Sequence, residues 1–187
     1  MQRIDVDQVM KAAADAFAMH GLSGVGMREI SRQSGVSLPT IYYYFGSKEK
    51  LFEAVCDDLY DQALKSARSC VDLNAPADAP LEPQLHALCR NLFSLLTGNR
   101  TLFLLLRQDL IHGSQSEARF RSRVQYEGLI ELFRQLLSRR HDAEQSRRLA
   151  FLCAALIFGY CEFAVVSGQV GQGCEQLSAA LATLAGC

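Results

Sequence analysis

The stretch GLSGVGMREISRQSGVSLPTIYYYFGSKEKLFEAV, residues 21–55, decides the fold. Met27 to Ser34 reads as a short helix closed by Gly35. The corner after it calls for a positive φ, which suits a residue without Cβ. Leu38 to Phe45 reads as a second short helix. Ser37 can cap it, and Pro39 falls in its first turn, where the missing N–H is harmless. Lys48 opens a long helix with Leu51, Val55, Leu59 and Ala63 on one stripe. Upstream, Val6, Met10, Ala13 and Phe17 step by 4, 3 and 4, and Gly21 ends that helix. Ile30, Val36 and Ile41 are spaced to plug the gap between two crossing helices. Short helices joined by a glycine corner make a helix-turn-helix, whose second helix offers its N-terminal end and one face to the major groove of DNA.

That reading gives the tyrosines a purpose. On a helix Tyr42, Tyr43 and Tyr44 point about 100° apart and cannot share one job. Ile41 and Phe45, four apart, are expected to face the core, leaving Tyr42 and Tyr43 as the outward pair. An exposed phenol can donate to a phosphate oxygen and lay its ring against sugar or a thymine methyl. The Lys48 ammonium, with the amides that open its helix, suits one phosphate. Arg28 suits the DNA backbone or a base edge. Arg3 suits either a minor-groove arm or a solvated terminus.

The rest of the chain is also helical in pattern. Pro76, Pro80 and Pro83 mark a linker over residues 72–83. Leu85 to Leu96 and Thr101 to His112 read as two helices, split at Gly98-Asn99. Ser116 to Arg140 carries Tyr126, Ile130, Phe133 and Leu137 on a stripe. Asp142 with Gln145 resembles a capping box before Arg147 to Ser167, and a last helix covers Glu175 to Ala185. The expected fold is all-α, with about nine helices and no sheet.

Composition narrows the function. The 187 residues include 19 basic and 20 acidic ones, a net charge of −1, which argues against a polyanion binder over its whole surface. Seven cysteines, an odd number without a CxxC pair, point to a reducing cytoplasm rather than a disulfide framework. The N-terminus lacks an apolar signal region. The most apolar run, Leu149 to Val166, contains Gly159 and Glu162 and reads as a buried helix rather than a membrane span. His86 and Cys89 share one side of a helix, but a metal site needs two further ligands and none is supplied, so no metal or cofactor is expected. Cys153 and Cys161 read as small buried hydrophobes. Glu162 suits pairing with an arginine such as Arg107, a cationic ligand, or a water-filled subunit seam. Arg119, Arg123 and Arg134 read as a solvated helix face.

Residues 21–55, with the preceding helix from about Val6, resemble the tetracycline-repressor (TetR) family of bacterial transcription regulators. The resemblance implies a helix-turn-helix DNA-binding domain over residues 1–47 and a ligand-binding and dimerisation domain over 48–187. It implies that Ser37, Thr40, Tyr42 and Lys48 contact phosphates, that Leu38, Pro39 and Tyr43 face bases, and that Arg28 touches DNA. Two departures stand out. Gly26 occupies a capping position where relatives usually carry Thr or Ser, and Leu38 stands where many relatives carry a polar or basic residue, so reading there would be apolar. The resemblance also implies a ligand cavity in the middle helices, with Phe93, Leu96, Phe103, Leu106, Tyr126, Ile130, Phe133, Phe158 and Glu162 as candidate linings. It implies a homodimer paired through the last two helices, which are apolar on more than one stripe and carry alanines at 150, 154, 155, 179, 180 and 182 that allow close approach.

The function expected is a cytoplasmic homodimeric repressor on a palindromic DNA operator, released by a small hydrophobic effector. It is not expected to be an enzyme or a membrane protein. The alternatives are a DNA-binding regulator controlled by a partner protein or by cysteine oxidation, and, more remotely, an all-helical enzyme.

Overall fold

The computed structural model describes residues 6–76, 78–98, 101, 103–105, 118–167 and 173–184, without side-chain detail at 118–126, 166, 173, 174, 178 and 184. Eight helices are assigned among them: α1 Val6–Gly24, α2 Met27–Ser34, α3 Leu38–Phe45, α4 Lys48–Ser69, α5 Glu82–Gly98, α6 Ala118–Leu137, α7 Ala143–Ser167 and α8 Gly173–Leu184. The described residues contain no strand. Thr101 and residues 103–105 are also helical, where the sequence places a further helix; the rest of that helix lies outside the described residues.

The chain divides into two compact units. One comprises residues 1–60 with 100–122, the other 61–99 with 123–187, and α4 supplies residues to both. In the first unit α1 packs on α2 and α2 on α3. Its core is Val9, Ala13, Phe17, Ile30, Ile41, Leu51 and Val55, with Phe103 and Leu105 also buried. Phe17 and Phe52 meet edge to face, their centroids 5.2 Å apart. Each large side chain so buried contributes about 1.5–3 kcal/mol. The inner stripe of α1 starts at Val9 rather than Val6, which is exposed. At Gly21 the backbone leaves the helix, with φ 70° and ψ 169°, a region open only to glycine.

In the second unit α5 packs against α7 and α8, and those two against each other. Leu85, Leu88, Leu92, Phe93 and Leu96 of α5 meet a face of α7 built largely from small side chains: Ala150, Cys153, Ala154, Ile157, Cys161 and Ala164. Leu177 and Leu181 bury one side of α8. The linker between α4 and α5 is tied to this unit. The Arg139 guanidinium donates to the carbonyls of Pro76 and Ala79, and the Asp72 amide donates to Gln84 Oε1 at 3.0 Å. Asp142 caps α7 by accepting from the Gln145 amide at 2.8 Å, as the sequence indicates. By length and composition alone α7 could cross a membrane, its mean hydropathy reaching 1.7 over Ala143–Val165. Its first turns carry Glu144, Arg147 and Arg148, and one whole face is packed on α5 and α8.

Candidate nucleic-acid interface

The helix-turn-helix is built by local chemistry. Gly26 starts α2 without a side-chain cap, and Gly35 ends it at φ 69°, ψ 5°. At Gly35 an L side chain would meet the left-handed penalty, although the space around it is open. The Ser31 hydroxyl donates to the Val36 carbonyl at 2.7 Å and braces the turn. Ser37 caps α3: its Oγ accepts from the Thr40 amide at 3.4 Å and lies 2.6 Å from the Thr40 hydroxyl. At the far end the Gly46 amide donates to the Tyr42 carbonyl at 2.8 Å.

Only Ile41 of α3 is fully buried, beside Ile30; Val36 and Phe45 are half-buried. Tyr42 and Tyr43 point outward, 44% and 84% exposed. Tyr44 is a third outward ring, 51% exposed, which the sequence reading did not place there. Its spacing of three from Ile41 suggests an inner face, but α3 stops one residue later and the ring stays in solvent. The Tyr43 and Tyr44 rings stand edge to face at 5.4 Å and hold each other. Pro39 is exposed, and Leu38 and Thr40 half-exposed, on the same short helix.

The surrounding cations differ in their attachments. Arg32 holds Glu29 through both guanidinium branches, at 3.0 and 2.5 Å, and Gln33 donates to the same carboxylate. These bonds, from Arg32 first, lower the Glu29 pKa to about 2. Arg28 is exposed. Lys48 donates from Nζ to the Val25 carbonyl at 3.1 Å, so it pins the start of α4 to the segment before α2 while two of its hydrogens stay unassigned by that bond. Ser47 caps α4, its Oγ accepting from the Lys50 amide at 3.2 Å and its carbonyl from Leu51 at 3.0 Å. The tie from Lys48 to Val25 spans 23 residues and escapes a sequence reading, whereas Ser47 followed by a run of good helix formers is a legible cap. Arg3 lies outside the described residues.

Most of the described candidate effector residues fall in the second unit. Phe93, Leu96 and Phe133 are buried in the second unit, Ile130 and Phe158 half-buried, and Phe103 is buried in the first unit. Leu106 and the side chain of Tyr126 lie outside the described residues, as does Arg107. Phe93 faces the Tyr160 ring at 6.4 Å. Glu162 is exposed, next to Phe163 on the outward side of α7. An open groove of about 840 Å³ runs along α5, where Glu82, His86, Arg90 and Asn91 stand among Cys70, Pro83 and Ala87, and none of these candidates lines it. Cys153 and Cys161 are buried, and burial pushes the Cys153 thiol up to about 12, far from a reactive thiolate.

The outward face of α7 is apolar. Phe151, Leu152, Leu156 and Phe163 are exposed on it, with Ala155 and Gly159 between them, while Ala179 and Ala180 are exposed on α8. Ala150 and Ala154, expected at a subunit contact, instead face the interior, where their small size lets α7 approach its neighbours closely.

Comparison with known proteins agrees with this architecture. Residues 9–55 match the sequence model of the family described as bacterial regulatory proteins, tetR family. The match covers α1 to the first part of α4, the segment that holds the helix-turn-helix. It is similar to the transcriptional repressor NicS of Pseudomonas putida, 38% identical over 39% of this chain and 35% of that protein. It is also similar to the dual regulator CecR of Shigella flexneri, 34% identical over 52% of this chain and 46% of that protein. The chain thus spans about a third to a half of the length of these curated relatives. Over the full chain the fold is that of a TetR-like transcriptional regulator from Rhodococcus sp. RHA1, with a TM-score of 0.80 at 19% identity and complete coverage of both chains. FadR of Bacillus subtilis in complex with stearoyl-CoA superposes with a TM-score of 0.77 at 22% identity, covering 97% of each chain.

Proposed function

We propose that the protein is a homodimeric, sequence-specific DNA-binding regulator of transcription, acting as a repressor that a small hydrophobic effector releases from a palindromic operator. The observation that carries the reading is α3, a short capped helix that leaves three tyrosine rings in solvent. Large rings left in water at the tip of a helix-turn-helix are accounted for by a groove that takes them. Residues 1–47 would hold the DNA contacts, with Ser37, Thr40, Tyr42 and Lys48 on phosphates, Leu38, Pro39 and Tyr43 on bases, and Arg28 on either. Residues 48–187 would hold the effector and the dimer seam. Because α4 starts at Lys48 and supplies residues to both compact units, an effector that favours one dimer geometry would change DNA affinity by linkage.

The outward faces of α7 and α8 are the dimer seam in this reading. Phe151, Leu152, Leu156 and Phe163 would be covered by the same residues of a second copy, with Glu162 in the seam. A stearoyl-CoA complex of a protein with the same fold supports an effector with a long apolar part. Burial of Cys56, Cys89, Cys153 and Cys161 argues against oxidative control at those four thiols. The protein would work in the cytoplasm, without catalysis.

Native mass spectrometry of the full chain, with and without duplexes enriched from a random pool, tests this. A dimer bound to one duplex, dissociated by added acyl-CoA, is expected. A monomer, or no enriched duplex, would overturn the reading.

A further inference from the structure

We propose, resting on the DNA-binding reading above, that α3 reads its half-site through the C5-methyl groups of thymine, so that the bases facing it are A·T pairs with the methyl toward Leu38 and the tyrosine rings. The inference comes from what α3 lacks. Its eight residues, LPTIYYYF, include no Arg, Lys, Asn, Gln, Asp or Glu. Those are the side chains that recognise guanine, adenine and cytosine by paired or charged hydrogen bonds in the major groove. The polar groups that remain are poorly suited to that task. The Ser37 and Thr40 hydroxyls bond each other at the cap, 2.6 Å apart. A phenol O–H both donates and accepts, so a single tyrosine hydroxyl separates bases weakly. The nearest forked donors belong to α2, where Arg32 is held by Glu29 and Arg28 is exposed.

What α3 does present is apolar area in a fixed arrangement. Leu38 and Pro39 occupy the first turn, the part of such a helix that meets base edges. Tyr43 is the most exposed large hydrophobic side chain among the described residues at 84%, and the Tyr44 ring braces it at 5.4 Å. The thymine methyl is the one apolar group a base pair shows in the major groove, and covering it removes about one methylene's worth of surface from water.

The test uses the full-length dimer and a duplex enriched from a random pool. Positions facing α3 are identified as those whose base preference is lost by Leu38→Ala or Tyr43→Ala. Each thymine there is then replaced by uracil, which removes only the methyl and leaves the protein untouched. A loss of about fourfold per methyl is expected for the unaltered protein, and a smaller loss for Leu38→Ala. A C·G pair at the same position should bind better when its cytosine carries a 5-methyl group. Neutral uracil substitutions, or G·C pairs enriched opposite α3, would overturn the inference and leave the regulator reading standing. Failure to enrich any duplex would overturn both.

Discussion

Two helices of this molecule leave large apolar side chains in water, and they do so in opposite ways. On α3 the exposed groups are Tyr42, Tyr43 and Tyr44, rings that each end in a hydroxyl, on a helix of 8 residues stopped at both ends. On α7 they are Phe151, Leu152, Leu156 and Phe163, which have no polar atom in the side chain, along a helix of 25 residues. A phenol satisfies its hydroxyl in water or on a phosphate, so the α3 surface suits a partner that is both wet and charged. The four exposed α7 side chains offer nothing to water or to phosphate, and with Glu162 as the one charge among them they suit a largely dry face. The two exposures therefore point to two classes of partner, a duplex for α3 and a second copy for α7.

The sharpest way to break this comparison is to charge the dry face. Replacing Phe151 and Phe163 together by Glu should raise the dimer dissociation constant more than about 100-fold, since central apolar contacts commonly contribute ~2 kcal/mol or more each. Both side chains are more than half exposed in the single chain, at 56% and 60%, so helical content should be kept. Sedimentation velocity and circular dichroism check the two halves of that statement. An unchanged dimer would move the seam elsewhere.

The wet face should respond differently. Tyr43→Ala is expected to weaken operator binding about tenfold or more without touching the dimer. Lys48→Ala should lower the slope of log K against log salt by about 1 in magnitude. Because Lys48 also holds the Val25 carbonyl, a drop in melting temperature with an unaltered salt slope would identify it as a structural pin alone.

Smaller effects test the scaffold that presents α3. Gly35→Ala should cost about 1–2 kcal/mol of stability through its backbone conformation, because no atom stands within 4 Å of the added Cβ. Chemical denaturation measures it. Gly26→Ser should do the reverse by a few tenths of a kcal/mol, since Gly26 has an ordinary extended conformation of φ −98°, ψ 139° and open space around it.

The smallest effect concerns pH. Hydrogen bonds from Arg32 and then Gln33 hold the Glu29 carboxyl at about 2, below its ordinary 4.5. A lowered folded-state pKa stabilises above the unfolded value and loses that contribution as pH falls from 4.5 through about 2. The group is exposed, so the change should be slight. Melting curves of Glu29→Gln should show a shallower decline over that window.

Much of the DNA-binding unit was legible before any coordinates. The bounds of α2 and α3, the corner at Gly35, the cap at Ser37 and the break at Gly21 all follow from residues within a few positions of each other. Elsewhere helix existence was legible and ends drifted by a few residues. α5 begins at Glu82 rather than Leu85, and α7 at Ala143 rather than Arg147. The outward turn of Tyr44 and the tie from Lys48 to Val25 were not legible, because each depends on what packs, or fails to pack, from another part of the chain. The placing of Phe103 in the first unit was equally hidden, since a run of Leu and Phe does not state which neighbour it meets.

The sequence alone determined where helices start and stop, because caps, glycine corners and proline positions act over one turn of backbone. Only the tertiary structure decided which side of α7 is inside. That helix is apolar nearly all round, so its pattern favours no face. The choice went to Ala150, Cys153, Ala154, Cys161 and Ala164 because small side chains let α5 and α8 come close. The larger Phe151, Leu156 and Phe163 were left facing out.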